Sequence, residues 1–276
     1  MRIAHLSDIH FGRIAYPEIV GLLVGEVNAA EVDLVAVSGD LTQRARRHQF
    51  TAAVEMLKSF EAPVLVVPGN HDVYPWWRPI SRLAFPLGRY KRYVSRDLLP
   101  TFEMEGLSVL GINSAHGRTV KGGQIRKRER EAIREFFSSR DASIFKVLVV
   151  HHHITRIQAL GPHDVVSQAR EALEVASASG VDLILCGHLH VSHVEPLSVV
   201  PENHRIVVVS AGTATSNRGR GTNRHTNFYN VIEIDDEAFT IEERKFDPEA
   251  RRFVTHATTR FARLPETQET LKQGEQ

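Results

Sequence analysis

Short apolar runs recur along the chain at 2–7, 33–38, 63–68, 107–112, 145–150, 181–186 and 205–210. Each is continuous and too short for a buried helix, the pattern of a strand covered on both faces. Between them lie helical spacings: Phe50, Ala53, Val54, Leu57 and Phe60, and further on Ala132, Ile133, Phe136 and Phe137. Strand and helix in alternation predict an α/β fold with largely parallel strands. From residue 205 the strands follow one another without helices, at 205–210, 227–234 and 238–246. That change predicts a second, more antiparallel sheet packed on the first, a two-sheet β-sandwich flanked by helices.

At 276 residues the chain is near the upper limit for one globular core. A single domain over 1–263 is expected, with the polar stretch 264–276 as a flexible tail. The hydrophobic share of 42% and charged share of 24% argue against disorder and against a membrane protein. A formal net charge of +1 gives no global argument for a nucleic-acid or anionic-membrane partner. The start, MRIAHLSDIH, lacks the apolar core of a secretory signal, and no apolar stretch reaches the length of a membrane span. The single cysteine, Cys186, excludes an intramolecular disulfide and suits a reducing compartment. The expected location is cytoplasmic.

The fifteen histidines matter through their positions. Just past the apolar runs stand Asp8 and His10 in SDIHFG, Asp40 in SGDLTQ, Asn70, His71 and Asp72 in PGNHD, His151, His152 and His153 in HHH, and His188 and His190 in CGHLH. In an open α/β sheet, ligands bind outside the carboxyl ends of the strands, so five segments are expected to converge on one rim. Asp8 and His10, like His188 and His190, would share a face if strand geometry continued. Two aspartates, an asparagine and several histidines, with no thiolate, are oxygen and nitrogen ligands suited to Mn, Fe, Zn or Mg. Seven such groups exceed the needs of one catalytic ion, and two ions sharing a carboxylate use them well. A purely structural account would bury these polar groups at strand ends without partners, which is costly.

The series DIH, GD, GNHD, H and GHLH resembles the calcineurin-like metallophosphoesterase superfamily, and its order and spacing are similar to the bacterial class III cyclic-nucleotide phosphodiesterase branch. The resemblance covers about 2–234 and implies a four-layer α/β/β/α fold with two divalent metal ions (Mn, Fe or Zn) per chain. Asp8, His10, Asp40 and His190 would hold one ion; Asp40, Asn70, His151 and His188 the other, with Asp40 bridging. A register shift by one would hand the role of His151 to His152. His71 and Asp40 would be the catalytic residues, His71 meeting the phosphate and assisting the leaving group. Hydrolysis by in-line attack of a metal-bridging hydroxide follows, on a small phosphodiester substrate such as a 3',5'-cyclic nucleotide. His152 and His153 would support the pocket or sit on the surface without a role; for His153 the surface reading is favoured.

Substrate contacts beyond the metals are expected from the loop 212–228, where Asn217, Arg218, Arg220 and His225 are placed to meet phosphate or base, Arg being suited to bidentate phosphate binding. The competing account is a solvated hairpin loop. The run 118–130, with six basic residues and one acidic, is no strong nucleic-acid signal: no aromatic platform is interleaved, and a charged helix start explains it. His116 has no assigned role. The segment 73–96 interrupts the alternation with aromatics, three prolines and many Arg and Lys. It reads as a lid or homodimer contact (over 73–100 at its widest), or as a surface excursion that packs its aromatics inward. Other functions to weigh are a phosphomonoesterase, a lipid-linked pyrophosphatase, a DNA nuclease that would want further domains, and a catalytically silent metal-binding scaffold, which would be expected to lose ligands.

Overall fold

The structure is a computed structural model and describes residues 1–263, apart from 120, 158–159, 162, 200–203 and 221–222. The stretch 264–276, expected to be a tail, lies outside the described residues. Among the described residues twelve strands form two six-stranded sheets. In the first the order is β12 (Arg252–Ala262), β11 (Ala238–Asp247), β10 (Phe228–Ile234), β1 (Arg2–Leu6), β2 (Leu34–Val37) and β3 (Val64–Val66). In the second it is β4 (Thr101–Met104), β5 (Leu107–Ile112), β6 (Phe145–Val150), β7 (Leu183–Cys186), β9 (His204–Ser210) and β8 (His193–Val199).

Period-two burial separates the layers. Ile3, Leu34, Ala36 and Leu65 of the first sheet meet Val109, Val147, Val149, Leu185 and Val207 of the second in one cluster between the sheets. Their sequence neighbours point outward: Ala4, Val35 and Val37 pack under Leu23 and Val27 of α1 (Ile19–Ala29) and Phe50 and Ala53 of α2 (Arg47–Lys58). On the far side Leu110, Leu148 and Ile184 pack under Ile133 and Phe137 of α5 (Lys127–Ser138) and Ala172 and Ala176 of α6 (Ala169–Ala178). The order is helix, sheet, sheet, helix, as expected. The runs are apolar at every position because one parity faces the other sheet and the other parity faces helices.

The late strands are arranged differently from the expectation. They do not build a second sheet of their own. β9 pairs parallel with β7, Leu183 against Val207, and joins the second sheet. β10 pairs antiparallel with β1, Ala4 against Val231, and carries β11 and β12 onto the first. The second sheet is therefore parallel at its centre with an antiparallel strand at each edge, whereas the first is parallel in its β1-β2-β3 half and antiparallel in its β10-β11-β12 half. Three strands went unforeseen, β4, β8 and β12, and all lie at sheet edges. Edge strands bury less, and β12 alternates exposed and half-buried residues where the core strands run apolar.

The segment 73–96 forms α3 (Pro79–Ala84) and α4 (Gly88–Tyr93). Tyr90 packs inward, fully buried, and its hydroxyl donates to the Val66 carbonyl at 3.0 Å. Trp76, Trp77, Ile80, Leu83 and Phe85 remain exposed. Cys186 is buried and free. Among the described residues no helix is long and apolar enough to cross a membrane.

Candidate metal centre

β1, β2, β3, β6 and β7 all release their chains toward one rim, and the polar residues quoted above sit in the first turns beyond them. They arrive by kinks and not by continued strand geometry. Asp8, His10, Asp40, His188 and His190 all have φ between 52° and 70°, half of the ten non-glycine residues of left-handed backbone among the described residues. Non-glycine residues adopt this region at a cost, and such strain gathers where side chains must be aimed. The corrected picture also separates His188 from His190: they turn to different partners. Close approach explains the glycines before them. A Cβ on Gly69 would lie 2.1 Å from Asp40 Oδ1, and one on Gly187 would lie 1.8 Å from Ser7 Oγ.

One group comprises Asp8, His10, Asp40 and His190, all buried, with one donor atom of each within 4.8 Å of the others. His190 Nε2 lies 3.1 Å and His10 Nε2 3.4 Å from Asp8 Oδ1, and His10 Nε2 lies 3.6 Å from Asp40 Oδ2. The two ring nitrogens face each other at 3.3 Å. Asp8 Oδ1 and Asp40 Oδ2 are buried without a hydrogen-bond partner among the described residues. Burial pulls the pKa of His10 down to about 4 against the opposing pull of Asp8 and Asp40, so its ring is neutral at pH 7. Burial opposes the charge on Asp8, yet His190 and His10 hold it well below the usual carboxylate range. A neutral His10 imidazole and ionised carboxylates, aimed inward with acceptor facing acceptor, are donors of the kind a divalent cation needs.

The second group is built around Asn70. Its Oδ1 lies 3.2 Å from His151 Nε2 and 3.0 Å from His188 Nδ1, and His151 Nε2 lies 3.5 Å from Asp40 Oδ1. Asp40 thus reaches both groups. His151 Nδ1 donates to the Ser38 carbonyl at 2.7 Å, which fixes the tautomer and aims the Nε2 lone pair at the oxygens of Asp40 and Asn70. Acceptors facing acceptors repel unless a cation or a proton lies between them. Burial pushes the His151 pKa down, but the charge of Asp40 more than offsets it and raises the value to about 9, the site drawing in a proton. Burial lowers that of His188 to about 3.

His152 also falls in this second group with His151 and His188. Its Nδ1 is tied to Ser114 Oγ at 2.8 Å, and its Nε2 is buried without a partner among the described residues. His153 is a correction: it is 1% exposed, not on the surface, because the chain turns inward after β6 and its Nδ1 donates to the Thr155 carbonyl at 2.8 Å. His116 is buried, its Nε2 bound to the Gln124 carbonyl at 2.9 Å.

The groups open into a cleft of about 720 Å³ that Asp40, Asn70, His71, His188 and His190 line on one side. Arg44, Arg218 and Arg220 also line it, as do the exposed Trp76 and Trp77. His71 Nδ1 donates to the Gln43 carbonyl at 2.8 Å, so its Nε2 is the acceptor for Arg218 Nη1 at 3.1 Å. Burial lowers the His71 pKa; Asp40 opposes this, and Arg218 adds to it. Asn217 is exposed and is not among the residues lining the cleft, and His225 is exposed as well.

Several supporting residues carried no role in the sequence reading. Asp72, buried, accepts from the backbone of Thr42 at 2.9 Å and of Gly69 at 3.0 Å, and so ties the Asp40 turn to the Asn70 turn. Ser7 Oγ and the His188 backbone N–H both donate to Asp8 Oδ2, at 2.7 Å and 2.9 Å. Gln43, Arg44 and Asp72 stand inside or beside the quoted motifs, and adjacency was the signal available.

Residues 1–192 match the family described as calcineurin-like phosphoesterase. The 3',5'-cyclic adenosine monophosphate phosphodiesterase CpdA of Haemophilus influenzae is 28% identical over 69% of this chain and 70% of its own. An uncharacterized metallophosphoesterase of Helicobacter pylori (strain J99) is 27% identical over 72% of this chain, which spans 47% of that relative's length. Among solved structures, a purple acid phosphatase from yellow lupin (Lupinus luteus) seeds superposes with a TM-score of 0.69 at 14% identity, over 95% of this chain and 53% of the other. At that identity the likeness speaks for the fold alone.

Proposed function

Because the chain belongs to the calcineurin-like phosphoesterase family, we propose that it is a phosphodiesterase with two divalent ions, acting on a small phosphodiester, with a 3',5'-cyclic nucleotide as the leading substrate. The observation that carries the reading is the pair of donor groups joined at Asp40, in which buried acceptors face one another. Asp8, His10, Asp40 and His190 would hold one ion, and Asp40, Asn70, His151 and His188 the other. The similarity to the CpdA phosphodiesterase supports the substrate class. The sequence carries a ligand-type residue at every motif position that the resemblance expects, which supports an active enzyme over a silent scaffold.

When bound, such ions act as Lewis acids on phosphoryl oxygens and acidify water to nucleophilic strength near neutral pH. The chain's own residues do the rest. Asp8 and Asp40 bring two negative charges to two divalent cations, leaving a positive site that suits an anionic phosphoester. Arg218 and Arg220 line the same cleft and add cationic donors for phosphoryl oxygens. The leaving oxygen needs a proton, and His71 would take one up from solvent at Nε2 once Arg218 has moved off that atom and pass it on, its Nδ1 staying on the Gln43 carbonyl. In that step Arg218 turns from His71 to the phosphoryl group.

The test is elemental analysis of the purified protein together with Mn²⁺-dependent hydrolysis of bis(p-nitrophenyl) phosphate and p-nitrophenyl phosphate, in wild type and Asp40→Ala. Near two metals per chain, diester preference and loss of both in the variant are expected, followed by turnover of a 3',5'-cyclic nucleotide. Monoester preference would move the reading to a phosphatase. Absence of both metal and turnover after reconstitution would overturn it.

A further inference from the structure

Helix α3 is inverted relative to what hydrophobic burial dictates. Its charged residue faces inward: Arg82 is 7% exposed and donates to the carbonyls of Tyr74, Gly117 and Thr119, with Nε to Gly117 at 2.9 Å. Its apolar residues face outward: Ile80 is 82% and Leu83 64% exposed, three positions apart and so on one helix face. Trp76, Trp77 and Phe85, at 69%, 47% and 70% exposed, flank them within ten residues of sequence. Taking about 150–250 Å² for a large side chain, the exposed share of the five is on the order of 600 Å², at the top of the range for the largest apolar patch on a soluble monomer. The patch cannot collapse inward, because Arg82 pins the backbone to the 117–119 loop and a Cβ on Gly117 would lie 2.0 Å from the Arg82 carbonyl oxygen.

The charge within the segment is of one sign. Residues 74–96 include Arg78, Arg82, Arg89, Lys91, Arg92 and Arg96 and no aspartate or glutamate. A twofold contact between copies through this surface would set cations against cations. An anionic bilayer offers both complements at once: tryptophan and aliphatic side chains enter the headgroup boundary, and Arg and Lys meet the lipid phosphates. Ile80, Leu83 and Phe85 are not among the residues lining the cleft, so they suit a surface better than a single lipid tail drawn inside. Trp76 and Trp77 do line it.

From this geometry we infer that the 74–96 segment docks the protein reversibly on an anionic membrane surface, with the mouth of the catalytic cleft at the lipid headgroups. The inference stands apart from the metals and from the proposed reaction. The chain's only two tryptophans, Trp76 and Trp77, both lie in the patch, so intrinsic emission reads its environment directly. The experiment titrates the full chain with phosphatidylglycerol vesicles and, separately, with phosphatidylcholine vesicles, following tryptophan emission and co-sedimentation. A blue shift with co-sedimentation on phosphatidylglycerol, reversed by salt and absent on phosphatidylcholine, is expected. The triple variant Ile80→Ser, Leu83→Ser, Phe85→Ser keeps both reporters and should bind at least about tenfold more weakly, with unchanged melting and unchanged hydrolysis of bis(p-nitrophenyl) phosphate. Emission unmoved by phosphatidylglycerol overturns the inference, as does equal binding to both vesicles. A shift that follows protein concentration with a doubling of mass, and not lipid, also overturns it and assigns the patch to a second copy.

Discussion

Arg218 Nη1 donates to His71 Nε2 across 3.1 Å, joining the loop after β9 to the turn after β3. The imidazole is held from both ends, since its Nδ1 donates to Gln43 on the turn after β2. A loop residue thereby occupies the one ring atom that the proposed reaction uses.

Replacing that guanidinium should weaken catalysis without unfolding the chain. Hydrogen bonds to charged groups contribute about 1.5–3 kcal/mol, which converts to roughly 10–150-fold in kcat/KM for Arg218→Ala on a phosphodiester. Arg218→Lys should recover only part, because a point charge does not reproduce the planar fork. Steady-state kinetics beside a thermal melt check this. Unchanged kcat/KM in the alanine variant would remove Arg218 from the reaction.

Metal loading should expel a proton. The pKa of His151 is raised to about 9 by Asp40 against the opposing effect of burial, so at pH 7.5 the metal-free site is protonated there. A cation between His151, Asp40 and Asn70 must displace it. Calorimetric titration with Mn²⁺ in two buffers of different ionisation enthalpy should show about one proton released per chain from this residue, and affinity falling about tenfold per pH unit below 9. The same proton stabilises the metal-free fold fully below pH 6.5, and that contribution is lost as pH rises through about 9. No buffer dependence of the heat would contradict the assignment.

Gly69→Ala puts a methyl 2.1 Å from Asp40 Oδ1 and 2.4 Å from the Asp40 backbone nitrogen, so the shared carboxylate must move. Displacement by about an ångström is expected to cost on the order of 10²-fold in kcat. Metal content by elemental analysis should drop in parallel. Wild-type activity and stoichiometry in this variant would mean that Asp40 tolerates the shift and is not held by close packing.

Phe145 lies fully buried between the sheets, with its ring centroid 5.0 Å from that of Phe239. It stands at the far end of β6 from His151. Phe145→Ala should cost about 3–5 kcal/mol in urea unfolding of the metal-free chain. Activity of the remaining folded protein should be nearly unchanged, separating the sandwich core from the rim.

Much of the site could be read in advance because its chemistry is local. A ligand-type residue one or two positions beyond an apolar run lands on the rim wherever that run is placed, so Asp8, Asp40, Asn70, His151 and His188 were identifiable from SDIHFG, SGDLTQ, PGNHD, HHH and CGHLH. The strand ends were legible to within a residue or two for the same reason: Leu107–Ile112 and Phe145–Val150 coincide with their apolar runs. The backbone route was not legible. Alternation suggested that His188 and His190 act together, whereas left-handed turns at φ 70° and 58° send them to different groups. The burial of His153 depended likewise on a turn that no local pattern marks.

Residue order was enough for the alternating strands, the helices over them and the set of polar groups at the strand ends, because hydrophobic period and ligand type are properties of neighbours in the chain. Which sheet β10 joins, carrying β11 and β12 with it, is decided by pairing with a strand nearly the whole chain away, Arg2 against Glu233, while β9 pairs with β7 in the other sheet. The inversion of α3 is of the same kind, for Arg82 turns inward only because carbonyls of Gly117 and Thr119 are there to receive it. Long-range partners set the energy of each of these choices, and those partners exist only once the chain is folded.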